Sequence, residues 1–197
     1  MNQSIFITGT DTNIGKTFIA SMMFLAAKLH QMDVCYFKPV QTGDDSDCNE
    51  VKLLTNGEDR NIIQPVYSFA LPATPYLAAR VENKEVDSQK ICRRFQEISF
   101  DRCIVEGAGG LLVPLSEKML IRDLIKALNI PILIVASTRL GTMNHTLLTV
   151  ESALNAGIAV KGIVLSGDPY PNLAEVLHRF STVRVLAEVP KLDKSTF

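Results

Sequence analysis

Gly9-Thr10-Asp11-Thr12-Asn13-Ile14-Gly15-Lys16-Thr17 follows the apolar run Ile5-Phe6-Ile7 and opens a helical pattern. A strand, a glycine loop, Lys-Thr and a helix in that order describe a phosphate cradle. Loop amides and the positive end of the helix dipole face the anion, Lys16 reaches the terminal phosphates, and the Thr17 hydroxyl can bind Mg2+. In the usual spacing a glycine stands five positions before Gly15. Here that position is Thr10 and the glycine is Gly9, so the loop is a variant. An ordinary glycine turn would explain Gly15 but not the adjacent Lys16-Thr17. The expected ligand is a nucleoside triphosphate.

Four further places carry chemistry. Lys38 stands just past the apolar segment Val34–Phe37, at the strand end where open α/β sheets bind ligands; a solvated loop charge is the alternative. Asp44, Asp45 and Asp47 put three carboxylates in one loop, and Asp47 can either cap the helical stretch from Asn49 to Leu54 or contact a metal. Glu106 ends the strand pattern Asp101–Val105 and leads into Gly107-Ala108-Gly109-Gly110, which reads as a glycine-rich turn. A carboxylate there can sit beside a Mg-phosphate group while glycines let the backbone approach closely. Leu140–His145 opens a later helix, whose free amides suit a carboxylate or phosphate. His145, with no paired nucleophile, reads as a structural hydrogen-bonder.

The elements that must position these residues alternate. A helix is expected from Thr17 to about Gln31, a strand over Val34–Phe37, and a stop at Pro39 and Gly43. Residues 55–75 read as irregular, with Tyr67–Phe69 along the surface, followed by helices over Pro75–Val81 and Ser88–Glu97. So long an excursion tends to shape a substrate site. Then come helix Ile121–Leu128, the doubly buried strand Pro131–Ala136, a helix to about Ala156, strand Val160–Leu165, the turn Ser166–Pro169, helix Leu173–Phe180 and strand Val183–Leu186. The expected architecture is α/β: a doubly wound, mostly parallel sheet flanked by helices, in one P-loop domain over residues 1–197.

Composition excludes other classes. Lys+Arg 20 against Asp+Glu 21 leaves no basic field for nucleic acid or anionic lipid. No apolar run approaches the ~20 residues of a spanning helix, and Met1–Ser4 lacks the basic start of a signal peptide, so a cytoplasmic protein is expected. Cys35, Cys48, Cys92 and Cys103 show no C-x-x-C spacing and read as free thiols, with Cys48 the reactive one by exposure in its polar loop.

Gly9-Thr10-Asp11-Thr12-x-x-Gly15-Lys16-Thr17, Lys38-Pro39-Val40 with Thr42-Gly43, Glu106–Gly110, Pro114-Leu115 and Leu140-Gly141-x-x-Asn144-His145 together closely resemble the dethiobiotin synthetase family, over about residues 4 to 190. That resemblance implies a homodimeric P-loop ligase that closes a ureido ring on 7,8-diaminononanoate with CO2, ATP and Mg2+. It implies that Asn13, Ile14, Gly15, Lys16 and Thr17 hold the nucleotide phosphates, with Ser166, Gly167, Glu188, Val189 and Pro190 near the base. It further implies that Lys16 stabilises the transferred phosphoryl group, that Lys38 faces carbamate and phosphate, and that Thr12 and Thr42 hydrogen-bond the carbamate or diamine. Thr17, Asp47 and Glu106 would hold Mg2+. The amides of Gly141, Thr142, Met143 and Asn144 would take the substrate carboxylate across the subunit interface.

Two departures bear on the base. Family members often carry Asn where this chain has Ser166, and a Ser hydroxyl has shorter reach and fewer hydrogen-bonding groups than an amide. The short end after Pro190 removes wall material from the same side. Weak discrimination is expected, with GTP or other nucleotides supporting turnover within about tenfold of ATP, a gap of ~1.4 kcal/mol. The main rival is a partitioning or site-selection ATPase of the same fold. Those switches carry a second lysine near the loop start, where this chain reads Thr8-Gly9-Thr10-Asp11, and Leu192–Phe197 offers no amphipathic basic helix. A cobalamin-type amide ligase lacks the Lys38-Pro39-Val40-x-Thr42-Gly43 arrangement, and a pure binding module leaves Lys16, Lys38 and Glu106 unexplained.

Overall fold

The computed structural model describes residues 3–43 and 46–191; Asp44, Asp45 and the chain from Leu192 lie outside the described residues. Strand β1 (Ile5–Gly9) feeds helix α1 (Lys16–Leu29), β2 (Val34–Phe37) and a short β3 (Val40–Thr42). Helix α2 (Asp47–Thr55), a 3-10 turn (Asp59–Asn61), β4 (Ile62–Ile63), β5 (Tyr67–Phe69), α3 (Pro75–Val81) and α4 (Ser88–Gln96) follow. The rest is β6 (Arg102–Gly110), β7 (Pro114–Ser116), β8 (Met119–Leu120), α5 (Ile121–Leu128), β9 (Ile132–Ser137), α6 (Thr142–Asn155), β10 (Val160–Ser166), α7 (Leu173–Phe180) and β11 (Val185–Val189).

Seven strands form one parallel sheet in the order β11-β10-β9-β1-β6-β2-β4. From β1 the chain winds outward through β2 and later returns on the other side through β9, β10 and β11, which is the doubly wound plan. Central strands buried on both faces explain the unbroken apolar run of β9. Beneath α1 and α2 lies a cluster including Ile7, Phe24, Val34, Tyr36, Val51 and Ile104. The opposite face, with α3 to α7, is filled by a larger cluster around Phe6, Val105, Ile125, Ile134 and Leu165. No helix among the described residues is long and apolar enough to cross a membrane.

Several local expectations are corrected. Residues 40–42 and 67–69, read as a stop and a surface run, pair in parallel as β3 and β5, and Phe69 is buried. The 55–75 excursion also contains β4, which joins the main sheet at β2. Ser46, not Asp47, caps α2, its hydroxyl accepting from the Asn49 amide. The last strand spans Val185–Val189, about two residues later than Val183–Leu186. Cys48 is buried on the inner face of α2, and burial pushes its thiol up to about 11, so it is not a reactive surface cysteine.

Glu106 to Gly110 form no turn; β6 runs on through them, and Gly110 pairs with Gly9. The glycines are needed for close packing. A Cβ on Gly107 would lie 2.6 Å from Phe6 Cε1, inside a fully buried ring. Gly107→Ala is expected to cost about 1–3 kcal/mol of stability through overpacking, seen as a lower urea midpoint; an unchanged midpoint would mean that the Phe6 ring has room to yield.

Candidate functional site

The P-loop leaves β1 at Gly9 and folds back over it. A Cβ on Gly9 would stand 2.7 Å from the Asp11 carbonyl oxygen, which is why this variant needs its glycine there. Thr10 N donates to Val135 O at 3.0 Å, and Thr12 N to Asp11 Oδ1 at 2.7 Å. Gly15, at φ 92°, takes the left-handed turn that starts α1. The amides of Asn13, Ile14, Gly15, Lys16 and Thr17 have no hydrogen-bond partner among the described residues. They border a cleft of about 980 Å³ at the carboxyl ends of β1, β2 and β6. Unpaired amides at a helix start are the donors an anionic phosphate chain requires.

Below the loop a charged group is closed in. Glu106, 1% exposed, accepts from Thr17 Oγ1 at 2.9 Å and Lys38 Nζ at 3.1 Å on Oε1, and from the Tyr36 hydroxyl at 2.8 Å on Oε2. Lys38 Nζ also pairs with Asp47 Oδ2, while Thr17 Oγ1 lies 3.2 Å from Asp47 Oδ1. Burial opposes the Lys38 charge, but Glu106 and Asp47 outweigh it and hold its pKa above the ordinary lysine value. Lys16, 7% exposed, donates to Asp11 O at 3.0 Å; burial draws its pKa down, with Glu106 pulling the other way and Lys38 adding to the fall. Burial, reinforced by Glu106, keeps Tyr36 protonated far above the usual phenol range.

The donor set suits Mg2+. Two carboxylates and one hydroxyl converge, and Mg2+ commonly takes one or two carboxylates together with substrate phosphates and water. Among the described residues there is no group of three or more His, Cys, Asp and Glu able to hold a metal without such help.

Thr12, the loop residues 13–17, Lys38, Thr42, Asp47 and Glu106 thus share one cleft. Glu106 is fully enclosed rather than perched on a turn. Ser166 and Gly167, at the end of β10, lie beside the loop: a Cβ on Gly15 would come within 2.6 Å of Ser166 Oγ. Gly167 N donates to Val189 O at 3.0 Å, which brings Glu188, Val189 and Pro190 to the same edge. Gly141, Thr142, Met143 and Asn144 do not line the cleft of their own chain. Gly141 caps α6 at φ 91°, the Thr142 amide donates to Arg139 O, and the Thr142 hydroxyl bonds to Ser137 O. His145 is exposed, and the hydrogen bonds at this residue use its backbone, not its ring. Sequence reading missed Tyr36 and Gln41. The first touches Glu106, and the second lines the cleft and accepts weakly from the Asp47 amide at 3.4 Å.

A family model described as an AAA domain matches residues 3–197. The ATP-dependent dethiobiotin synthetase BioD of Leptospira interrogans is 40% identical over 166 residues, 84% of this chain and 75% of that one. The proteins of the same name from Agrobacterium fabrum and Methanocaldococcus jannaschii are 36% and 38% identical, covering 100% and 96% of this chain and 90% of each relative. Among solved structures, a ParA family ATPase from Chlorobium tepidum TLS superposes with TM-score 0.62 at 12% identity, over 99% of this chain and 87% of that one. The MinC:MinD cell division complex from Aquifex aeolicus gives a TM-score of 0.61 at 14% identity, over 98% and 83%. At such identities these two neighbours speak for the P-loop fold alone. The extent and depth of the curated matches, on a chain whose P-loop, Lys38 and Glu106 meet in one cleft, show that it belongs to the dethiobiotin synthetase family.

Proposed function

We propose that this protein is an ATP-dependent dethiobiotin synthetase, acting as one cytoplasmic P-loop domain that consumes 7,8-diaminononanoate, CO2 and a nucleoside triphosphate. The observation that carries the reading is the meeting of Lys38, Thr17, Asp47 and Glu106 beside the unpaired loop amides, in a cleft that extends past the phosphate cradle to Thr42, Thr74 and Gly109. Such a cleft has room for a second substrate next to the terminal phosphate.

The chemistry asks for positioning more than for a covalent nucleophile. One amine of the substrate adds to CO2 and loses a proton, giving a carbamate. A carbamate oxygen then takes the γ-phosphoryl group and the nucleoside diphosphate leaves. The second amine attacks the carbon of this carbamic-phosphoric anhydride, expels phosphate, loses its proton and closes the ring. Lys16 neutralises charge on the transferred group, while Lys38, between the phosphate and carbamate positions, steadies the carbamate oxygens. Thr12 and Thr42 orient the diamine region. Thr17, Asp47 and Glu106 would hold Mg2+, which when bound offsets phosphate charge.

A homodimer with shared sites belongs to the same reading. Gly141–Asn144 lies away from its own cleft, and the neighbouring Leu140 and Leu148 are exposed, which supports its serving a second copy. For the base, the Ser166 side chain rests against Gly15, which leaves it poorly placed to read a ring edge.

Purified protein with diaminononanoate, bicarbonate, Mg2+ and ATP is expected to give dethiobiotin by mass spectrometry, with each omission abolishing it. No product, together with nucleotide hydrolysis stimulated by lipid or DNA, would favour a switch ATPase instead. GTP, CTP and UTP should support turnover within about tenfold of ATP, a spread of ~1.4 kcal/mol; a thousandfold preference for ATP would refute the Ser166 argument. Lys38→Ala should retain nucleotide binding while product formation falls by orders of magnitude. Without divalent ions it should also lose roughly 3–5 kcal/mol of stability, because two enclosed carboxylates are left without their amine. Lost nucleotide binding with turnover of the bound enzyme intact would contradict the role given to Lys38.

A further inference from the structure

Tyr36 is the one aromatic hydroxyl in contact with the charged group, and its surroundings are unusual for a core residue. The ring is fully buried, 0% exposed, in the apolar cluster beneath α1 and α2, with Phe24, Cys48, Val51 and Ile62. β2 and β6 run in parallel with Tyr36 opposite Ile104. Glu106 lies two residues farther along β6 on the same face, about 6.6 Å ahead at strand rise. A tyrosine leaning along its strand covers that span, and the hydroxyl meets Glu106 Oε2 at 2.8 Å. The other oxygen, Oε1, takes Thr17 and Lys38. With Oε2 engaged from below, the carboxylate keeps one oxygen aimed at the loop.

We infer that Tyr36 is a positioning residue for Mg-nucleotide binding: its hydroxyl fixes the Glu106 carboxylate so that Oε1 faces Thr17 Oγ1 and Asp47 as a metal ligand. The inference rests on the reading of Thr17, Asp47 and Glu106 as the Mg2+ ligands. Losing a partner that orients a ligating carboxylate from behind typically costs about 10–100-fold in metal affinity. Tyr36 touches neither substrate nor nucleotide, since it lines no part of the cleft. A purely packing role would leave the metal response unchanged.

Tyr36→Phe keeps the ring and removes the hydroxyl. Binding of ADP, which cannot turn over, is measured by calorimetry in Mg2+ and in EDTA, alongside thermal melts. The expected result is that the Mg2+-dependent gain in ADP affinity falls about tenfold while binding in EDTA stays within about twofold. A wild-type gain that Tyr36→Phe retains in full, whatever its melting temperature, would overturn the Tyr36 assignment alone. A wild-type protein whose ADP affinity ignores Mg2+ would overturn the metal reading and this inference with it. Should the variant not fold, the unaltered protein still decides. The chain has no Trp and four Tyr, and of these, among the described residues, Tyr36 alone hydrogen-bonds to Glu106. Adding Mg2+ to the ADP-bound protein should therefore produce a near-ultraviolet tyrosine difference spectrum, and a flat one would overturn the assignment.

Discussion

The ion pairs of Lys38 with Glu106 and Asp47 constrain the rest of the structure. Taking an ammonium or a carboxylate out of water costs several kcal/mol per ion, and only close partners with further hydrogen bonds offset it. Here Lys38 and Glu106 are 5% and 1% exposed, so each requires the other. They are 68 positions apart in sequence, which forces β2 and β6 to be neighbours although α2, α3 and α4 lie between them in the chain. Asp47 can reach Lys38 only if α2 starts at the cleft, and the Ser46 cap fixes that start. Glu106 and Asp47 also act on the buried Lys16, so two carboxylates and two ammonium groups share the floor of the cleft, directly below the loop whose amides await an anion.

Packing on the far side of the sheet serves the same site. Gly107, next to Glu106, rests on the Phe6 ring, so β6 lies flat against β1 where a larger residue would push it away. The pairing of Gly9 with Gly110 continues that contact to the rim of the loop. The face of β6 that carries Glu106 and the start of the P-loop are therefore held in register by a buried aromatic ring and glycines. Rigid backbone under charged groups limits the reorganisation that phosphoryl transfer would otherwise require.

Much of this was legible in the residue pattern. The loop from Gly9 to Thr17 announced itself through Lys16-Thr17 at a helix start; Lys38 stayed open between a ligand contact and a solvated loop charge until the family resemblance was weighed, and Glu106 was placed at a strand end although β6 runs on to Gly110. Helices Pro75–Val81, Ile121–Leu128 and Leu173–Phe180 have the bounds their periodicity implied. The failures share one cause, namely long-range packing that local composition does not encode. Glycines normally break strands, so Glu106–Gly110 read as a turn, whereas its glycines answer to Phe6 and to the Gly9 carbonyl. Cys48 took its reading from polar neighbours, yet helical spacing sets it with Val51 and Thr55 on the buried side of α2. β3 and β5 are three residues each and pair across a gap of more than twenty positions, too short for any periodic signal. Tyr36, inside an apolar strand, drew no reading of its own, because only the folded register reveals what its hydroxyl meets.

The likeness to ParA and MinD proteins, at 12–14% identity, is one of fold. Beyond the phosphate cradle, the cleft of this chain has a second half, built from Lys38, Thr42-Gly43, the Pro72–Pro75 segment and Ala108-Gly109. β3, the loop after β5 and the start of α3 supply much of that wall, and all three come from the long excursion between β2 and β6. A switch needs its nucleotide half to move a partner surface, whereas a ligase needs a fixed second pocket beside the γ-phosphate. β3 and β5 lock to each other, and Gly43 N donates to Phe69 O at 2.9 Å, so the second pocket is braced independently of the P-loop. The proposed ring closure would draw on that bracing, because its second amine has to stand in line with the activated carbon.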